Sequence, residues 1–349
     1  MKHLKHCASR RIFISKSAVA TAGIALAGPS LFSAPAILKY YKKPNSVIQG
    51  VQIGVITYSY RSMEDQSAEA TLKYITDSGI NAIELIGDPA EVFAGRPEST
   101  LNMSAMWGLR RKQREETISD DEQKELAEML VLQEEYNKKV SYWRATCDRD
   151  KFVQFRKMYH NAGVSIYAFK PRNTFEKDSS DADIEWGMEI AKLLGANQVT
   201  VEHPSDDAHT LRLGKFAKKH GIYVGYHGHE QQTPTLWDTA LQQSEFNALN
   251  LDLGHYVAAG NTEPLDIMKA KHDRIKSMHL KDRQTPANNK GNLVWGKGDT
   301  PIVEALRLIR DEKYTFPVTV ELEYAVPEGS NAVEEVRKCL AYCQAALTA

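Results

Sequence analysis

Residues 248–255 read ALNLDLGH, a short apolar run that closes on the carboxylate of Asp252 and brings an imidazole, His255, three residues later. The same ending recurs along the chain. QVTVEHP at 198–204 closes on Glu202 and His203, IYVGYHGHE at 222–230 on His227 and His229, IKSMHLKD at 275–282 on His279, and VTVELE at 318–323 on Glu321 and Glu323. Five of the eleven histidines thus fall where an apolar run stops. Metal-ligand side chains gathered at the C-terminal ends of successive strands form the active-site rim of a β/α barrel.

Working outward, Val- and Ile-rich runs alternate with stretches of helical periodicity, the mark of repeated βα units. Eight strands are expected: Val51–Tyr58, Ala82–Ile86, Val164–Phe169, Gln198–Val201, Ile222–Tyr226, Ala248–Leu251, Ile275–Leu280 and Pro317–Leu322. Gly79, Gly163 and Gly221 stand where a left-handed residue would stop a helix before the next strand. The fold class is therefore α/β, a (β/α)8 TIM barrel over residues 51–349, with a helical insertion after strand two at about 88–150. That insertion is charged, notably over Arg110–Glu116 and Asp120–Lys139, and reads as a solvated helical excursion. Its position at the C-terminal rim also suits covering the pocket or a homo-oligomer contact.

Residues 1–36 read as a twin-arginine export signal, followed by a linker over 37–50. Ser9-Arg10-Arg11-Ile12-Phe13-Ile14 precedes an apolar run from Ala18 to Phe32 and the small-residue site Ala34-Pro35-Ala36. The run carries glycines and a proline and is shorter than a membrane span, so no stable span is expected after processing. The expected location is periplasmic. The signal holds five basic residues and no acid, and its removal takes the formal charge from −1 to −6. Such a chain repels polyanions, which disfavours nucleic acid as partner and suits a small carbohydrate. Cys147, Cys339 and Cys343 then remain, an odd number without framework spacing, so no disulfide scaffold is implied.

Asp252 is read as a metal ligand, with His255 reaching substrate; the structural alternative is an aspartate capping the next helix. His279 is a metal ligand by its strand position, and Lys281 and Arg283 beyond it supply cations for a sugar hydroxyl or an enolate oxygen. Glu321 and Glu323 share one face, and Glu321 is preferred as ligand for its depth in the strand. The fourth ligand is Glu202 or one of the strand-five histidines.

These residues resemble the xylose-isomerase-like barrel superfamily, the sugar phosphate isomerase/epimerase group, over residues 53–347. DLGH at 252–255, MHLKDR at 278–283, WGKGD at 295–299 and VTVELE at 318–323 carry the resemblance. It implies a divalent metal held by a glutamate on strand five, an aspartate on strand six, a histidine on strand seven and a glutamate on strand eight. Asp252, His279 and Glu321 match, and His255 matches the substrate-binding histidine three residues after the aspartate. The chain departs at strand five, where His227 stands in YHGHE; Glu202, on the neighbouring strand, is expected to take the missing place.

The expected set is thus Glu202, Asp252, His279 and Glu321 as ligands, Glu202 and Glu321 as acid/base pair, and Lys170, His227, His229, His255, Lys281 and Arg283 on the substrate. Such donors suit one Mn²⁺, Co²⁺, Zn²⁺ or Fe²⁺ ion, and Mg²⁺ less well because of the imidazole. The implied enzyme is a sugar isomerase/epimerase that removes the α-proton of a keto sugar through a metal-bound enediolate. A 3-keto-glycoside lyase or dehydratase using the same enediolate is the alternative. A metal-dependent phosphodiesterase or endonuclease and a non-catalytic sugar-binding protein stand further off.

Overall fold

The computed structural model describes residues 43–349, so the expected export signal and the start of the linker lie outside the described residues. Eight parallel strands follow: β1 (Val51–Ile56), β2 (Ala82–Ile86), β3 (Ser165–Lys170), β4 (Gln198–Glu202), β5 (Tyr223–His227), β6 (Asn247–Asp252), β7 (Ile275–Leu280) and β8 (Val318–Val320). Each pairs with its sequence neighbour, and β8 pairs back onto β1, so the sheet closes with helices outside it: a (β/α)8 TIM barrel. The linker's last residues join this frame. Val47–Ile48 pairs antiparallel with β1, and the buried Ser46 hydroxyl donates to the Ile53 carbonyl at 2.6 Å.

Two strands end earlier than their apolar runs suggest, because side chains take over the ladder. Beyond Ile56 the chain turns through a short 3-10 helix, Thr57–Tyr60, and the Thr57 hydroxyl accepts the Ile86 N–H at 3.0 Å. Beyond Val320 the Leu322 N–H goes to the Ser59 hydroxyl at 3.0 Å. The anticipated helix stops have positive φ, +81° at Gly79, +86° at Gly163 and +67° at Gly221.

Beneath the rim the barrel interior is polar. Tyr167 reaches across to the Thr319 hydroxyl at 2.7 Å, and Gln198 donates to Ser277 at 2.8 Å. Gly54 permits the crossing: a Cβ there would lie 2.7 Å from the Tyr167 hydroxyl. A side chain at 54 would therefore displace this polar layer, on which the site rests.

The insertion is more than a solvated excursion. Helices Met103–Arg114 and Asp120–Thr146 bury Met106, Leu109 and Leu126 between them, and Ser119 and Glu122 form a capping box that starts the second helix. Its far end is fastened to the barrel by Arg144, which is buried. The guanidinium pairs with Asp183 at 2.8 Å, donates to the Arg172 carbonyl at 2.7 Å, and lies over the Trp186 ring at 4.9 Å. Between this helix and the loops after β2 and β3 lies a polar cavity of about 870 Å³. Among the described residues no helix is long and apolar enough to cross a membrane.

Candidate metal centre and active site

Strand register sets the site. Asp252 at the end of β6 pairs with His279 of β7, and His279 pairs with Thr319 of β8, two residues before Glu321. Alternation turns the three functional side chains to the barrel axis. One ligand atom from each of His227, Asp252, His279 and Glu321 lies within 4.8 Å of the others, and all four residues are buried. His279 Nδ1 is 3.0 Å from Glu321 Oε2 and 3.9 Å from Asp252 Oδ2, and His227 Nε2 is 3.9 Å from the same Asp252 oxygen. Asp252 caps the next helix as its sequence allowed and also faces the group. Its Oδ1 caps the following helix by accepting the His255 N–H at 2.7 Å, which turns Oδ2 into the group.

These donors fit a divalent ion. Two imidazoles and two carboxylates make a mixed nitrogen and oxygen set of the kind borderline ions accept. Asp252 Oδ2 is buried and receives no hydrogen bond, only the charge of Lys281 at 3.0 Å. Buried carboxylates demand such cationic partners.

Glu202 is not brought into this group. Although Glu202 pairs with His227 in the ladder, its side chain is half exposed, 2.7 Å from Lys170 Nζ and 3.5 Å from His229 Nε2. Burial raises its carboxyl pKa, but His227, Lys170 and His229 outweigh that and hold it down at about 2. The strand-five imidazole of His227, expected on substrate or as the alternative fourth ligand, lies where Glu202 was expected. Burial, together with Lys170 and His279, lowers His227 to about 3.

Sequence reading missed Glu84 and Asn250. Both are fully buried beneath the group. Glu84 Oε2 is 2.8 Å from His279 Nε2, Asn250 donates to the same oxygen at 2.9 Å, and Asn250 Oδ1 is 2.8 Å from His227 Nδ1. Burial disfavours the His279 cation, but Glu84 and Glu321 outweigh it and raise the imidazole to about 10. The one signal in the sequence was a lone acid inside the apolar run AIELI.

Above the group Lys281 binds three carboxylates. Its Nζ lies 3.0 Å from Asp252, 2.6 Å from Glu321 and 2.8 Å from Glu323. Glu321 and Glu323 are thereby told apart: the first joins His279 and Asp252, while the second stands above them, beside His255. Burial would weaken the ammonium, yet these carboxylates raise its pKa.

Arg283 acts through His255 rather than on the centre. It donates to His255 Nδ1 at 2.5 Å and pairs with Glu230 at 2.8 Å. A guanidinium only donates, so the His255 proton sits on Nε2, which is buried, 4.0 Å from Glu323 and without a hydrogen-bond partner. Burial and the charges of Lys281, His229 and Arg283 push this imidazole down to about 2 and keep it neutral. His227, His229 and His255 also lie close enough to share an ion, but an Nε2–H is a donor, and the buried four are the better ligand set. His203 packs edge-on against Tyr226 at 5.3 Å.

Fold and site together define a barrel with a mixed imidazole and carboxylate centre at its C-terminal rim. The chain belongs to the xylose isomerase-like TIM barrel family, whose model matches residues 135–343. An inosose dehydratase of Bacillus cereus (strain AH820) is 28% identical over 139 residues, 38% of this chain and 44% of that enzyme, so the match spans under half of this relative. A sugar phosphate isomerase/epimerase from Parabacteroides distasonis ATCC 8503 superposes with a TM-score of 0.54 at 18% identity, covering 87% of this chain and 98% of that one. An L-ribulose 3-epimerase does so with 0.55 at 11%, covering 85% and 95%. At such identities the structural likeness is one of fold.

Proposed function

We propose that this chain is a divalent-metal-dependent enzyme that removes the α-proton of a keto sugar and carries the enediolate on to loss of a β-oxygen substituent. The carrying observation is the buried convergence of His227, Asp252, His279 and Glu321 beneath a rim of charged and donor side chains. His227, Asp252, His279 and Glu321 would hold the divalent ion, which would supply Lewis-acid polarisation of the substrate carbonyl. Glu323, held by Lys281 but outside the ligand group, takes the proton from the carbon next to that carbonyl. The Lys281 ammonium and the His255 Nε2–H stabilise the oxygen that gains negative charge. When the β C–O bond breaks, its electron pair leaves with the departing oxygen, and His229, beside Glu202, supplies that oxygen's proton.

Elimination is preferred over epimerisation on the position of Glu202. Inverting a carbon through two bases needs a second carboxylate facing it from the side opposite Glu323, and Glu202, the acid expected for that part, is ion-paired to Lys170 at 2.7 Å. Isomerisation is the second reading, because one carboxylate at the position of Glu323 can return the proton to the adjacent carbon. The phosphodiesterase alternative loses support from His255, which Arg283 holds as a donor and withholds from a further ion.

Export by residues 1–36 would present free or oxidised sugars and glycosides rather than sugar phosphates; fractionation of cells carrying the Arg10→Lys, Arg11→Lys double variant tests that part. The chemistry is tested by NMR of zinc-loaded protein with ketoses and 3-keto-glycosides in D₂O. An unsaturated keto product with release of the β-substituent supports elimination, an isomerised, deuterated sugar supports the second reading, and no α-exchange with any substrate sinks both.

A further inference from the structure

His227 and His279 stand on different strands, yet one carboxylate beneath them governs both. The oxygens of a carboxylate accept hydrogen bonds and cannot donate. Glu84 Oε2 is 2.9 Å from the Asn250 side-chain amide, so the amide's NH₂ must be the end turned toward it. The same NH₂ reaches the Ser277 hydroxyl at 2.7 Å. Asn250 Oδ1 is then left facing His227 Nδ1 at 2.8 Å, and an amide oxygen requires a proton on that nitrogen. The His227 lone pair is thereby placed on Nε2, the atom that looks toward Asp252. Glu84 Oε2 also faces His279 Nε2 at 2.8 Å and holds a proton there, which leaves Nδ1, 3.0 Å from Glu321 and 3.9 Å from Asp252, as the nitrogen an ion would take.

We infer that Glu84, acting directly on His279 and through Asn250 on His227, is the positioning residue that sets both tautomers, and that this makes the centre select an imidazole-preferring ion of the zinc class over magnesium. The inference rests on the metal-dependent reading of the site. Its physical basis is that a ligating histidine needs its other ring nitrogen held by a partner, which fixes tautomer and orientation. Here the two partners are linked, so the imidazoles are oriented as a pair. All members are buried: Glu84, Asn250 and His279 have no exposed surface and His227 is 2% exposed. Magnesium, which favours oxygen ligands and dehydrates reluctantly, gains little from oriented nitrogens.

The test is long-range ¹H–¹⁵N correlation on the zinc-loaded full chain, which reads ring nitrogens without any sugar. Expected is a metal-bound Nε2 with protonated Nδ1 for His227, and the opposite, bound Nδ1 with protonated Nε2, for His279. The same bound nitrogen in both rings, or either ring unbound while zinc is held, overturns the inference. Zinc and magnesium affinities of two variants give the second arm. Glu84→Leu should lose about 10- to 100-fold in zinc affinity with magnesium affinity nearly unchanged, and Glu84→Gln, which keeps an accepting oxygen, should recover most of it. Equal losses for both ions, or no recovery in Glu84→Gln, count against it. A chain that binds zinc in the expected mode but turns over no sugar sinks the proposed reaction and leaves this inference standing. A wild-type chain that binds no zinc sinks both.

Discussion

Lys281 Nζ lies 2.6 Å from Glu321 Oε2, so a side-chain ammonium and a divalent ion are drawn to the same carboxylate. Lys281→Met removes the competing cation, and zinc should bind about tenfold more tightly in a competition titration with a chromophoric chelator. Turnover should fall by about 10²- to 10³-fold, because the developing oxyanion loses its nearest fixed cation. Chelator-treated Lys281→Met should also melt lower than the chelator-treated parent, since three carboxylates lose their shared partner. A variant with weaker zinc binding would show that Lys281 supports the ion rather than competing with it.

Glu321 and Glu323 are expected to separate binding from chemistry. Glu321→Gln removes a charged donor from the buried four, and zinc retained after dialysis should fall well below one per chain. Glu323→Gln should retain zinc and lose about 10²- to 10⁴-fold in α-proton exchange, the usual worth of a positioned base. Metal content and exchange in D₂O measure the two effects apart. Full exchange in Glu323→Gln would return the base to Glu321.

The barrel was legible because each strand reads as an apolar run with a polar close. Asp252 and His279 were legible as a pair for the same reason, their register being the natural one for two strands that end together. Glu84 was not, because its partner His279 lies 195 residues away across the barrel, and nothing local distinguishes an acid with a distant partner from a solvated one. Where the Glu202 side chain ends was not legible, because a place at a strand end gives neither the height nor the reach of a side chain. Strands in a barrel are tilted, so in-register neighbours such as Glu202 and His227 sit at different levels along the axis. Arg144 was hidden inside a charged helix that resembles any exposed one until the groups it reaches, Asp183 and the carbonyls after β3, are brought alongside.

Glu202→Gln tests the division between centre and rim. Because Glu202 is ion-paired with Lys170 and His229 and brings no oxygen into the buried four, zinc affinity should stay within about twofold of the parent. Turnover should fall about 10- to 100-fold, since His229 loses the carboxylate that lies 3.5 Å from its Nε2 and orients it. A loss of zinc comparable with that of Glu321→Gln would place Glu202 back among the ligands.

His279 makes metal affinity depend on pH with a defined sign. Burial works against its cation, but Glu84 and Glu321 raise the imidazole from its ordinary 6.5 to about 10. In chelator-treated protein the charged imidazole contributes stability that is fully present below pH 6.5 and is lost as pH rises through about 10. A ligating nitrogen must shed its proton, so zinc and the proton compete for Nδ1 and binding releases that proton. Apparent zinc affinity should therefore climb by about tenfold per pH unit between about pH 6.5 and 8.5. Calorimetry in two buffers of different ionisation enthalpy should register close to one proton released per zinc bound. A flat pH profile with no released proton would mean that His279 meets the ion already neutral, and that Glu84 and Glu321 do not hold its charge.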